Sequence, residues 1–184
     1  MPYFNIVAET SENTVVTEYE PVKKRSDSYQ SEAALEQEFI RLLCEQGYEY
    51  LPIHTEKDLI ANLRKKLEEL NNYQFSDTEW DDFFKNAVAN PNEHIVEKTR
   101  KMQEDNVQVL TRDDGSSKNI TLIDKKNIHN NRLQVINQYV IGTENGAKHD
   151  NRYDVTVLVN GLPLVHIELK RRGVAIREAF NQIN

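Results

Sequence analysis

Asp154, Glu168 and Lys170 are the residues of this chain whose types and spacing bear most directly on chemistry. Glu168 and Lys170 lie two apart at the end of Leu162-Pro163-Leu164-Val165-His166-Ile167-Glu168-Leu169-Lys170, so an extended strand points both to one face. Asp154 stands at the head of Val155-Thr156-Val157-Leu158-Val159, an apolar run in which Asp is disfavoured. Two carboxylates supply hard oxygen ligands for a divalent cation. An amine beside them orients or deprotonates a water and stabilises charge developing at a phosphate. The chemistry this set suits is the binding of a divalent metal with a water positioned beside it. The competing reading is an exposed strand whose Glu and Lys meet solvent, and an Asp placed in a Val-rich run argues against it.

The elements that must position these groups follow from the same stretch. Asn160-Gly161 between two runs rich in Val, Leu and Ile is a hairpin signal. A plain two-residue turn would pair 159 with 162 and set Asp154 opposite Ile167, leaving Asp154 and Glu168 on opposite faces. A longer loop, or one bulge between 155 and 167, brings Asp154 opposite Glu168. The site therefore requires an irregular hairpin. Beyond it, Val174–Asn184 reads as a helix with Ile176, Ala179, Phe180 and Ile183 inward. Lys170, Arg171, Arg172 and Arg177 form a local basic cluster beside the carboxylates.

The order Asp154, hairpin, Glu168-Leu169-Lys170 and helix resembles the active site of the PD-(D/E)xK nuclease superfamily. The tail Glu168-Leu169-Lys170-Arg171-Arg172-Gly173-Val174-Ala175-Ile176-Arg177-Glu178-Ala179-Phe180-Asn181-Gln182 is similar to the N-terminal nuclease domain of the R (HsdR) subunit of type I restriction endonucleases. The resemblance runs from Ser28 to the last residue, dense after Asp154 and looser between about 55 and 120. It implies Mg²⁺ held by Asp154, Glu168 and the backbone carbonyl of Leu169, with Glu36 near the metal. It also implies catalytic roles for Lys170 and Gln182, and DNA contacts from Arg171, Arg172 and Arg177. Gln182 matches the first member of a family Gln-x-x-x-Tyr motif whose tyrosine would fall two residues past the chain's end, so a fragment truncated at its C-terminal side is expected. By resemblance, the parent protein hydrolyses ATP to translocate double-stranded DNA, associates with methylation (M) and specificity (S) subunits, and cuts unmodified DNA. No Gly-x-x-x-x-Gly-Lys-Ser/Thr occurs in the chain, which places any ATP site elsewhere. The superfamily's Pro-Asp is Tyr153-Asp154 here, which alters backbone stiffness and leaves the ligand in place.

Bulk composition sets the frame. The 184 residues suffice for one well-filled domain, with 38% hydrophobic and 29% charged residues. A net charge of −7 argues against nucleic-acid binding by the whole surface, though not by a local basic site. One cysteine, Cys44, forms no internal disulfide, and no long apolar run or signal-peptide pattern occurs. The expectation is a cytoplasmic protein without a membrane partner. The five histidines, His54, His94, His129, His149 and His166, lack zinc-ligand spacing. His166 shares the Glu168 face, with packing as its expected role.

Along the chain, residues 1–30 read as a hairpin or two short strands with a polar connector. Residues 31–184 read as the nuclease domain. A helix over about 32–46 carries Leu35, Phe39, Leu42 and Leu43, capped by Ser31 and ended by Gly47. Cys44 is expected to pack as a small apolar residue. Glu36 has two readings, a solvated helix face or a place near the metal. Residues 56–104 read as a helical insertion: one helix through Leu59, Leu63, Leu67 and Leu70, a second opened by the Ser76–Glu79 capping box, and a third capped by Asn92 through Ile95, Val96 and Met102. Trp80 is expected in the core. A hairpin spans about 107–123 with a turn at Asp113-Asp114-Gly115, and Leu133–Ile141 alternates as a strand. The fold class is α/β, a restriction-endonuclease-like core with a central mixed sheet flanked by helices. A non-catalytic module of this fold, for DNA binding or subunit docking, is the alternative.

Overall fold

The computed structural model describes residues 3–9, 15–20, 31–141 and 151–170. The chain divides into two units, Met1–Gln30 and Ser31–Asn184. In the first, β1 (Tyr3–Glu9) pairs antiparallel with β2 (Val15–Glu20), with an irregularity between Ile6 and Ala8.

The second unit opens with α1 (Glu32–Glu45), whose first turn is closed by Ser31 Oγ accepting from the Ala34 amide at 3.1 Å. Gly47, at φ 92°, takes the left-handed conformation that ends the helix. The buried line of α1 is Glu36 and Ile40, flanked by half-buried Phe39 and Leu43. That i, i+4 line leaves Leu42 and Cys44 exposed, which corrects the expectation of a packed cysteine. It also corrects the reading of Glu36 as solvated, since that residue is 6% exposed.

After β3 (Glu49–Tyr50) come α2 (Glu56–Asn71) and α3 (Asp77–Phe83), the latter running into a π-helical turn over Phe84–Val88. Ser76 and Glu79 close the expected capping box, with Ser76 Oγ accepting from the Glu79 amide and Glu79 Oε2 from the Ser76 amide, both at 3.1 Å. The third helix, α4 (Ile95–Gln103), begins at His94 and not at Asn92, whose amide donates to Asn90 Oδ1 in a turn. Ile95 and Val96 are exposed, and Met102 alone of the three expected residues packs inward. The hairpin of β4 (Val107–Thr111) and β5 (Ser117–Thr121) and the strands β6 (Leu133–Ile141), β7 (Asn151–Val159) and β8 (Leu162–Ile167) complete the unit.

The sheet order is β3-β6-β7-β8, with β3 parallel to β6 and the other pairs antiparallel. Helices cover both faces. Ile40 of α1 packs with Val135 and Val155 on one side. Leu59 of α2 packs against the Ile136 and Leu158 cluster on the other. This is the mixed sheet flanked by helices that the sequence predicts. A larger apolar cluster joins Leu63 and Leu67 of α2, Phe75, Trp80 and Phe83 to Leu110, Ile120 and Leu122, and it takes in Leu162 at the start of β8. Trp80 is a core residue, 5% exposed. By these contacts α2 is one layer of the sheet's own core.

The β7–β8 turn is seated against α2. Asn160 (φ 52°) and Gly161 (φ 83°) both occupy the left-handed region, the pattern of a two-residue primed turn. A Cβ on Gly161 would stand 2.6 Å from Leu63 Cα and 3.0 Å from Leu63 N. Gly161→Ala therefore combines a left-handed alanine with overpacking against backbone, an expected loss of about 2–5 kcal/mol. Urea unfolding should show it as a lowered midpoint with unchanged slope.

Candidate active site

The irregularity that the site requires is present. The turn pairs Val159 with Leu162 and Leu158 with Pro163, yet Val157 pairs with Val165 and Val155 with Ile167. Leu164 is the extra residue, a one-residue bulge. Pro163 beside it lies on β8, the outermost of the described strands, where a residue without an N–H is tolerated. Beyond the bulge the register carries 154 to the level of 168.

At that level the chain leaves the strand. Asp154 Oδ2 accepts the Leu169 amide at 2.8 Å. Lys170 Nζ donates to Glu168 Oε1 at 2.7 Å, with the Lys side chain 18% and the Glu side chain 7% exposed. The hydrogen bond to Glu168 is the main cause of a raised Lys170 pKa, and the charges of Glu168, Glu32 and Asp154 add to it, against the cost of burial. Ile167 and Leu169 pack with Ile40, which sets this end of the hairpin against α1. Asp154, Glu168 and Lys170 are thus neighbours where β7 and β8 reach α1.

Glu36 lies a turn further along α1. Asn137 Nδ2 donates to its Oε1 at 2.6 Å, and Gln138 Nε2 donates to its Oε2. Tyr50 Oη donates to Asn137 Oδ1 at 2.9 Å. Among the described residues, no three His, Cys, Asp or Glu side chains gather at metal-holding distance. Asp154 and Glu168 are the candidate carboxylates at this end of the hairpin, one bonded to the Leu169 amide and the other to Lys170. Asp154 Oδ1 and Glu168 Oε2 make no hydrogen bond to a described residue, so the donor set suits a hard cation completed by carbonyl and water oxygens. Leu169, whose carbonyl was expected as a third ligand, packs its side chain against the Ile40 cluster. Gln182, Arg171, Arg172 and Arg177 lie outside the described residues.

His166 is exposed on β8 and leans its ring on neighbouring side chains. Its ring stacks on Tyr153 with centroids 4.1 Å apart, and Nδ1 lies 3.0 Å from Thr156 Oγ1. Loss of water around the ring pushes its pKa below the ordinary histidine range.

Three residues have supporting roles here that the sequence reading did not assign. Asn137 and Gln138 stand as two consecutive polar residues in an apolar strand, and that break in alternation was the available signal. Asn160 is the other hidden support. Fully buried, it accepts the Arg132 amide at 2.8 Å and donates to Leu122 O at 3.0 Å and Asn131 Oδ1 at 2.8 Å.

A mixed sheet covered by helices, with Asp, Glu and Lys brought together by a bulged hairpin, is compatible with a restriction-endonuclease-like fold. Residues 29–184 match the family described as Type I restriction enzyme R protein N terminus (HSDR_N). The chain belongs to that family. It is 50% identical over 179 residues to the Type I restriction enzyme EcoprrI endonuclease subunit of Escherichia coli, which covers 97% of this chain and 56% of that protein. It is 39% identical over 160 residues to the SsaAORF53P endonuclease subunit of Staphylococcus saprophyticus, covering 84% of this chain and 16% of the relative. The SauMSSORF170P endonuclease subunit of Staphylococcus aureus (strain MSSA476) is 40% identical over 161 residues, 85% of this chain and 16% of its own length. The chain thus spans about half of one relative and about a sixth of the others. Among the described residues no helix is long and apolar enough to cross a membrane.

Proposed function

We propose that this domain hydrolyses phosphodiester bonds of double-stranded DNA as the endonuclease part of a type I restriction enzyme R subunit. The observation that carries the reading is the Leu164 bulge, which brings Asp154 level with Glu168. Asp154 and Glu168 would hold Mg²⁺, with the Leu169 carbonyl as a further ligand; the ion, when bound, supplies an activated water and neutralises charge at the phosphate. Lys170 orients the attacking water and stabilises negative charge as it develops. Arg171, Arg172 and Arg177 contact the DNA backbone, and Gln182 completes the pocket. Glu36 reaches this site through its bonds to β6.

The parent protein is proposed to assemble with methylation and specificity subunits in the cytoplasm. It is proposed to cut unmodified DNA after ATP-driven translocation by a motor in another part of the polypeptide.

Lys170→Ala tests the assignment. Lys offers charge and a proton but no ligand oxygen, so Mg²⁺ affinity of the full-length protein in its assembly should stay within about threefold. Single-turnover cleavage should slow by about 10²-fold or more. An unchanged cleavage rate with weakened metal binding would contradict the role.

A further inference from the structure

We propose that Gln138 is a positioning residue for Asp154, its left-handed backbone holding the β6–β7 ladder open where Asp154 sits. The inference rests on the reading of Asp154 as a cation ligand.

Gln138 has φ 53° in the middle of a nine-residue strand, a conformation that a non-glycine residue adopts only when its surroundings impose it. The ladder pairs Asn137 with Val155 and Tyr139 with Tyr153, and it omits the 138–154 pair between them. The register sum is the same on either side, so no residue has been added and the strand has turned instead. Its faces change accordingly. Ile136 and Tyr139 belong to one apolar cluster although they lie three apart, and consecutive Asn137 and Gln138 both donate to Glu36. A regular strand would send each of these pairs to opposite faces. On the neighbouring strand, Tyr153 and Thr156 both meet His166, again three apart. The two strands switch faces together, and Asp154 sits at the switch.

Glu36 supplies the anchor. It is buried, one oxygen accepts from Asn137 and the other from Gln138, so it acts on the site through β6. Asp154, outside the ladder, is then placed to accept the Leu169 amide and align with Glu168. Without the left-handed turn, β6 closes on residue 154 and this alignment is lost.

The decisive comparison is between substitutions that lose the same amide but differ in backbone preference. Glycine adopts positive φ readily, alanine reluctantly, and β-branched valine least. Gln138→Gly, Gln138→Ala and Gln138→Val would be made in the full-length protein within its assembly. Mn²⁺ binding and hydrogen exchange of the Leu169 amide would be measured for each. In the Val variant, Leu169 exchange should rise at least tenfold and Mn²⁺ affinity fall at least tenfold. Both should stay within threefold of wild type in the Gly variant, with Ala between. Equal behaviour of Gly and Val, whether both intact or both impaired, overturns the inference. If the Val variant does not fold, the Gly and Ala variants carry the same contrast. Asp154→Asn separates the two levels, because it keeps an acceptor for Leu169 while removing the charge. Undiminished Mn²⁺ binding in that variant sinks the ligand reading, and the Leu169 exchange contrast still decides the role of Gln138.

Discussion

Asp154→Ala, Asp154→Asn and Glu168→Ala are each expected to abolish DNA cleavage by the full-length protein, with rates down by about 10³-fold or more, about 4 kcal/mol of transition-state stabilisation. The size follows from the ligand count. Among the described residues the cation would rest on two carboxylates and no third acid, so either loss halves the charge available to it. The asparagine variant isolates this effect. Its amide oxygen can still accept from Leu169 N, the bond Asp154 makes at 2.8 Å, so local structure stays while the anionic ligand goes. Glu168→Ala differs, because it leaves Lys170 without the partner that raises its pKa. Plasmid cleavage at saturating Mg²⁺, with complex assembly checked by sedimentation, decides the matter. Cleavage by Asp154→Asn within tenfold of wild type would remove the aspartate from the site.

Inserting one alanine between Val165 and His166 is expected to be as damaging without touching a single charged group. The bulge makes the difference between Val157↔Val165 and the Leu158↔Pro163 register nearer the turn. With one more residue beyond that bulge, Asp154 faces Ile167, and Glu168 moves to the opposite face. Cleavage should fall below detection while circular dichroism and cooperative unfolding persist. Deleting Leu164 is the counterpart: the hairpin becomes regular, Val165 still meets Val157, and Asp154 stays level with Glu168, so cleavage should persist. Leu164→Ala, which keeps the residue count and trims a side chain already 43% exposed, should retain at least about a third of wild-type cleavage, since surface substitutions of this kind cost roughly 0.5 kcal/mol or less. Cleavage by the insertion variant would show that the carboxylates need not share a level.

The candidate site residues were easier to read from the sequence than the support beneath them. Asp154, Glu168 and Lys170 were legible because charged residues in apolar strands stand out. The need for an irregular hairpin followed from counting residues between them. Where the irregularity falls was not legible. The helix periodicity of α1 was readable, but Leu42 and Leu43 both fitted it. Only the tertiary contacts show that the inward line runs through Glu36 and Ile40, leaving Cys44 outside. Gln138 was the hardest case. Glycine announces a positive φ by its type, whereas a glutamine held there by a distant carboxylate gives no local sign. Ile95 and Val96 show the reverse failure, apolar residues at helical spacing that remain in water.

The close approach of Gly161 to Leu63 has a consequence for how this hairpin tolerates changes of length. With the turn backed against helix main chain and Asn160 tied to three neighbouring segments, neither strand can slide past that end. The turn is the zero mark of a ruler, and the carboxylates are where the ruler is read. A residue gained between 154 and 168, with the bulge unchanged, is carried outward and delivered whole to the site. The number of residues in this ribbon is thus as much a part of the active centre as the acids it carries.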